Sequence, residues 1–209
     1  MEKTAMEEMM SQPRIVSEPA LPTYARIDGV PALGAAGLTV SLVLSAARPG
    51  DAGRGAQVAL ACAEHAAGWS VGLDPSGRVS LVVGTRHGPV AVTSASGLDA
   101  DRRYRVVARI PGGPGRLEVS VQPEYAAAGS EVDTAGVRVG VPGVASRGPL
   151  LWGCRSLFDG VRPELPFDGV VGDVRLAAGG ESPDAMGPAA AAGVAVMSWV
   201  QEVVVGFPV

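Results

Sequence analysis

The chain has 209 residues, 47% of them hydrophobic and 18% charged, enough apolar material for one sizeable core and too little for two ordinary domains. Its 17 basic and 21 acidic residues leave a formal charge of -4. No Lys/Arg cluster is present that would neutralise a phosphate backbone, so nucleic acid is not expected as a partner.

Residues 1–21 are Met-rich, Pro-punctuated and acidic at Glu2, Glu7 and Glu8, and read as a disordered or partner-docked arm. They lack the basic n-region and apolar h-region of a secretory signal, so a cytoplasmic location is expected. Lys3 is the only lysine, a bias of codon usage or lineage, of bacterial type, rather than a designed patch.

The folded body is expected over 22–187, opening near Tyr24. Short β-type runs follow at intervals of about ten residues, broken by Gly, Pro, Asp and Ser, the spacing of an all-β sandwich. The first clear run is Leu38 to Leu44, in which Leu38, Val40, Leu42 and Leu44 alternate with Thr39, Ser41 and Val43. Strand-length runs continue at 57–62, 68–73, 78–83, 89–93, 104–110 and 116–121, none with a sustained helical period. Asp74-Pro75-Ser76-Gly77 places Pro at the second turn position and Gly where a positive φ is required, so the flanking runs should pair as a hairpin. Pro111-Gly112-Gly113-Pro114-Gly115 predicts a second hairpin; no Gly-Lys-Ser/Thr follows, which argues against a phosphate cradle.

Residues 123–147 read as a long connection between sheets, with one strand at 137–141. Strand character returns at 150–153 and at 167–176. Ser182 and Pro183 offer an N-cap and a first helical position for a short turn. The tail, 188–209, contains the apolar run Ala189 to Val200, about half the roughly 20 residues of a spanning helix, so no membrane segment is expected. It is too apolar to hang in water unpaired. An added strand, a short helix and a face covered by a partner, a further domain or a second copy of the chain all remain open for it.

Several pieces resemble a known superfamily in their order. Phe167-Asp168-Gly169-Val170-Val171-Gly172-Asp173-Val174-Arg175-Leu176 is similar to the closing strand of laminin-G-like and concanavalin A-like domains, where a Phe-x-Gly turn leads into an aspartate-containing strand. Tyr24 to Ile27 resembles the opening edge strand, Leu38 to Leu44 the long core strand, Gly68 to Gly77 the central hairpin, and Tyr104 to Ala108 with Arg116 to Val121 the later pair. The resemblance covers about 24–178 and implies an antiparallel two-sheet β-sandwich, a jelly roll of a dozen or so strands. Within the superfamily, Gly68-Trp69-Ser70-Val71-Gly72-Leu73-Asp74, the stretch through Val83, and Val121-Gln122-Pro123 look most like the jelly-roll domain in the large subunit of N,N-dimethylformamidase-like amidohydrolases. That likeness implies an accessory module, since catalysis in those enzymes belongs to a separate domain.

The candidate sites are sparse. Glycosidases on this sandwich use paired carboxylates in a Glu-x-Asp-x-x-Glu or Glu-x-Asp-x-Glu pattern; Glu131-Val132-Asp133 begins it, but Ala135 and Gly136 stand where the last glutamate belongs, and two-carboxylate chemistry cannot run on one partner. His65 and His87 sit on presumed loops with no second ligand at metal spacing. No Gly-x-Ser-x-Gly elbow presents a serine. Cys62 and Cys154 lie in no Cys-x-x-Cys or Cys/His cluster and are expected to be reduced, buried thiols.

Asp159, Asp168 and Asp173 are the best group of hard oxygen ligands, and calcium is the cation such rim aspartates would take. In a regular strand Asp168 and Asp173 point to opposite faces, so turn aspartates and surface charge are the simpler reading. Asp159, Asp168, Trp69 and Trp152 outline the rim and sheet where a ligand would sit, although with 4% aromatic residues core packing is the simpler role for both indoles. No catalytic set and no cofactor are expected. The reading is a non-catalytic accessory module that meets a protein partner, or itself, through the apolar tail, with lectin-like carbohydrate binding as the alternative.

Overall fold

The computed structural model describes residues 14–16, 24–28, 36–51, 53–64, 67–125, 131–140, 143, 148–158, 162–178, 196–199 and 203–205. Among them the chain forms strands and no helix: β1 (Arg14–Val16), β2 (Tyr24–Ile27), β3 (Leu38–Ala46), β4 (Gln57–Glu64), β5 (Ala67–Leu73), β6 (Arg78–Thr85), β7 (Gly88–Gly97), β8 (Tyr104–Ile110), β9 (Gly115–Pro123), β10 (Asp133–Val139), β11 (Leu150–Trp152), β12 (Ser156–Phe158), β13 (Arg162–Glu164), β14 (Gly169–Ala178), β15 (Val196–Trp199) and β16 (Val203–Val205).

Two large sheets result. The first has the order β1-β2-β11-β4-β5-β6-β7; the second has β10-β9-β8-β3-β14-β15, with β16 also on β14, and β12 and β13 form a separate hairpin. All named strand pairs are antiparallel. The alternation read along Leu38 to Leu44 has its expected consequence: Leu38, Val40, Leu42 and Leu44 enter the core shared by both sheets. They meet Val106 and Ala108 of β8, Val119 and Val121 of β9, and from the first sheet Leu60, Trp69, Val71, Leu81 and Trp152. Successive residues of a strand point to opposite faces, so each inward row of aliphatics leaves an outward row free to be polar.

The first hairpin closes as its residues dictate. Gly77 takes a φ of 79°, its N–H donates to the Asp74 carbonyl at 2.9 Å, and the Asp74 carboxylate accepts from the Ser76 and Arg78 N–H groups at 2.9 and 3.0 Å. Burial alone would raise the Asp74 carboxyl; its hydrogen bonds to Ser76 and Arg78 outweigh this and hold it below the usual carboxylate range.

Sequence and structure part company in several places. Pairing in the 123–147 stretch begins at Asp133 and ends at Val139 rather than over 137–141, because β10 follows β9 residue for residue from Gly115 to Val121. Three short pieces of the terminal segments join the sheets: Arg14–Val16 pairs with β2, and β15 and β16 pair with β14. The tail thus adds strands. The expected helical turn at Ser182 lies outside the described residues. No described helix is long and apolar enough to cross a membrane.

Strand β14 is not regular. Its pairing with β3 shifts between Gly172 and Arg175, where Asp173 adopts a φ of 43°. This bulge lets Val171 and Val174, an odd interval apart, both enter the core with Leu176. Asp173 is left on the outward face.

Candidate functional site

Of the expected rim of Asp159, Asp168, Trp69 and Trp152, the structure describes the last three, and they do not share an open surface. Trp69 and Trp152 are buried within the inter-sheet core, because Trp152 pairs opposite Ala25 and Trp69 opposite Val83 on inward rows, so neither ring has a free face for a sugar. Asp159 and His65 lie outside the described residues. Asp168 is buried and already engaged: Arg54 Nη1 stands 2.9 Å and Arg48 Nε 3.3 Å from its Oδ2. Its N–H donates to Gln57 Oε1 at 3.0 Å, its carbonyl accepts from Ala47 at 2.9 Å, and Gln57 Nε2 donates to the Arg48 carbonyl at 3.0 Å. This network ties the loop after β3 to the turn before β14.

Asp173 faces other partners, Arg105 Nη1 and Arg175 at 3.0 Å each. Among the described residues no three Asp, Glu, His or Cys side chains converge as a metal site would require. Asp133, the aspartate of the incomplete glycosidase pattern, has a structural task as well. The β6–β7 pairing shifts between Arg78 and Ser80, and the amides of Ala95 and Ser96 beside that shift donate to the Asp133 carboxylate at 3.2 and 2.8 Å.

Both thiols are free and buried. Burial pushes Cys62 up to about 11 and Cys154 up to about 12, so both stay protonated at neutral pH. Ellman's reagent at pH 7.5 is therefore expected to titrate neither in the folded protein and both in denaturant. The native state holds these protons more tightly than the unfolded chain. The stability they contribute is thus complete below pH 9 and is lost as pH rises from there toward the folded values. Urea midpoints measured between pH 9 and 11 should fall more steeply for the wild type than for Cys62→Ala/Cys154→Ala.

The arrangement with the most capacity to bind is one that residue types alone did not single out. Cross-strand register aligns Thr134, Ser120, Val107, Ser41 and Arg175 in one row of the second sheet, and Gly136, Glu118, Arg109, Thr39 and Ala177 in the next. All point away from the core. On this outward face Arg105 and Arg109 of β8, Arg116 of β9, Arg138 of β10 and Arg175 of β14 outnumber the strand carboxylates Glu118 and Asp173, in a chain that is acidic as a whole. Arg109 meets Glu118 at 2.9 Å and Arg116 meets the same carboxylate at 3.3 Å; Arg103 binds Glu124 just past the strand ends.

Two hollows open beside this array. One of about 180 Å³ is lined by Val43, Ser45, Asp101, Arg103, Val170 and Gly172, below the roughly 300 Å³ at which ordinary small-molecule sites begin. The other, about 500 Å³, is a cleft at the end of β9 and β10 lined by Pro114, Gly115, Arg116, Arg138, Val139 and Gly140. Alternation along β8 and β9 was legible in the sequence; that five arginines from four separate strands share one face follows only from register.

Two antiparallel sheets stacked over one aliphatic core, closed by the Phe167-Asp168-Gly169 turn into β14, define an all-β jelly roll of the concanavalin A-like kind. Comparison with solved structures agrees. The fold is similar to a heptameric SAP-like pentraxin from Limulus polyphemus, with a TM-score of 0.51 and 12% identity over 92% of this chain and 91% of that one. It is similar to domains LG4-5 of the mouse laminin alpha1 chain, with a TM-score of 0.53 and 13% identity over 79% of this chain, and to the LG1-3 region of the laminin alpha2 chain, with a TM-score of 0.53 and 13% identity over 73%. This chain spans 41% and 29% of those two laminin structures. At such identities the likeness is one of fold. No protein-family model and no curated protein sequence matches the chain.

Proposed function

We propose that this chain is a non-catalytic binding module, an accessory β-sandwich to a larger enzyme assembly of the N,N-dimethylformamidase-like amidohydrolase kind that its sequence resembles, and that it meets its partner through the outward face of the second sheet. The observation that carries the reading is the excess of strand arginines there: Thr39, Ser41 and Ala177 within the two rows are buried, and the arginines on the flanking strands give an acidic chain a positively charged margin suited to an acidic protein surface, by complementarity and by steering. The employment of the other reactive groups supports it. Asp168 and Asp173 neutralise arginines, Asp133 accepts two backbone amides, and both thiols are buried. Self-association through 188–209 has less support, since Val196–Trp199 and Val203–Val205 are spent on pairing with β14.

The test is co-expression with an amidohydrolase catalytic chain encoded beside this one. The two should co-elute at low salt, separate as salt screens the contact, and fail to co-elute when the module carries Arg105→Glu and Arg109→Glu. Turnover of a small amide or a glycan by the purified module alone would sink the reading. Lectin-like carbohydrate binding is the second reading, favoured by the polar groups of Ser45, Asp101 and Arg103 gathered at one hollow, too small to enclose a ligand but open to a sugar laid across it. Specific, calcium-dependent signals on a glycan array would select it.

A further inference from the structure

Among the described residues the large hydrophobic side chains that remain exposed are Tyr125, Val132 and Val137, at 83%, 43% and 37%. All three lie along one margin of the molecule, on β10 or on the connection that leads into it. Among the described residues β10 is the last strand of the second sheet, paired with β9 alone. An open edge is a row of unmatched N–H and C=O groups, and folded proteins normally blunt it with proline, lysine, a bulge or very short length. Asp133 to Val139 contains no proline or lysine and follows β9 through seven unbroken pairs; its two charges are Asp133, which the amides of β7 hold, and Arg138.

The charge beside this edge is one-sided. Arg138 stands directly opposite Arg116, a like-charge cross-strand pair that disfavours itself unless an anion lies between or beside the two. Arg116 reaches Glu118 at 3.3 Å, whereas Arg138 has no carboxylate partner among the described residues and is exposed on the wall of the 500 Å³ cleft. A second copy of β10 is a poor occupant. It would add another Arg138 and offer one exposed carboxylate, Glu131 before the strand, since Asp133 is committed to the amides of β7.

We propose that the β10 edge receives an extended, acidic segment of the partner chain as an added strand, with carboxylates of that segment on the Arg116–Arg138 side and its apolar residues beside Val137 and Val132. The inference rests on the binding-module reading and assigns it a docking edge and a ligand chemistry. An added strand draws affinity from main-chain hydrogen bonds and specificity from alternate side chains. In an alternating acidic–apolar peptide every second residue would meet the arginines, and the others the face of Val137, with Val132 just beyond the strand end.

The experiment uses the full chain and a fluorescein-labelled alternating Glu-Val octapeptide, with an alternating Lys-Val peptide as control. The expected result is saturable anisotropy for the Glu-Val peptide, no binding of the Lys-Val peptide, and slowed amide hydrogen exchange confined to 133–139. Arg138→Glu should weaken binding by at least about tenfold and Arg138→Gln by less, without shifting the thermal midpoint, as for a surface charge. No binding, equal binding of both peptides, or protection on β8 and β14 in place of β10 would each overturn the docking edge. Co-elution with the catalytic chain that is lost in Arg105→Glu/Arg109→Glu but unchanged in Arg138→Glu would overturn this edge and leave the module reading standing.

Discussion

Gly169→Ala is expected to destabilise the protein by about 4 kcal/mol, of the order of strain at a special φ and overpacking combined. Gly169 runs at a φ of 156°, and a Cβ built there would lie 2.0 Å from the Ser45 carbonyl oxygen and 2.9 Å from both Ala46 Cα and a ring carbon of Phe167. Two of these three neighbours are backbone of β3, the strand paired with Gly169 in register with Ala46, so relief requires the sheet itself to move. Against a typical domain stability of about 5–15 kcal/mol, such a loss leaves a marginal fold. Urea denaturation checks it, with Gly113→Ala as control: nothing lies within 4 Å of a Cβ at Gly113, and a change within about 0.5 kcal/mol is expected there. Equal midpoints for the two variants would show that the Phe-x-Gly turn is not the constraint described.

Asp168→Ala is expected to cost about 3 kcal/mol, the lower end of the range for removing one partner of a buried pair. The Asp168 side chain is 11% exposed and Arg54 21%, while Arg48 at 57% is largely in water; only the Arg54 contact is well shielded, and the Arg48 contact is worth little. Loss of the carboxylate removes the nearer, better-shielded of two carboxylates from Arg54 and leaves Asp51, 3.6 Å from its Nε, as the more exposed one, beside a Gln57 side chain still held by the Asp168 N–H and the Arg48 carbonyl. Arg54→Ala combined with Asp168→Ala should therefore cost less than the sum of the two single changes. Additive costs in a double-mutant cycle would show that the pair does not interact. Were Asp168 instead a calcium ligand, calcium would raise the wild-type midpoint and leave that of Asp168→Ala unchanged.

Much of the fold was legible before any coordinates. Period-two alternation in 38–44 and 104–110, and the turn chemistry of Asp74 to Gly77 and Pro111 to Gly115, are local properties that neighbouring residues decide among themselves. The closing turn at Phe167, Asp168 and Gly169 was readable only through its resemblance to laminin-G-like closing strands. The β14 bulge was not, because its cause is the need to seat both Val171 and Val174 against a core contributed by other strands. For the same reason Asp168 and the two indoles of the expected rim serve elsewhere: Trp69 and Trp152 fall on inward rows, and Asp168 on a pair of arginines about 115–120 positions earlier in the chain.

By itself, then, the amino-acid sequence determined that this protein is an all-β sandwich with its main hairpins in place, because strand period and turn geometry are set within a few residues. Only the tertiary structure decided which side chains share a surface. Arg105, Arg109, Arg116, Arg138 and Arg175 come together through the register of β10, β9, β8, β3 and β14, and the open edge beside Arg138 exists because, among the described residues, β10 is the last strand of its sheet. Register depends on burying every apolar row at once, and a one-residue slip in any strand would turn its arginines inward.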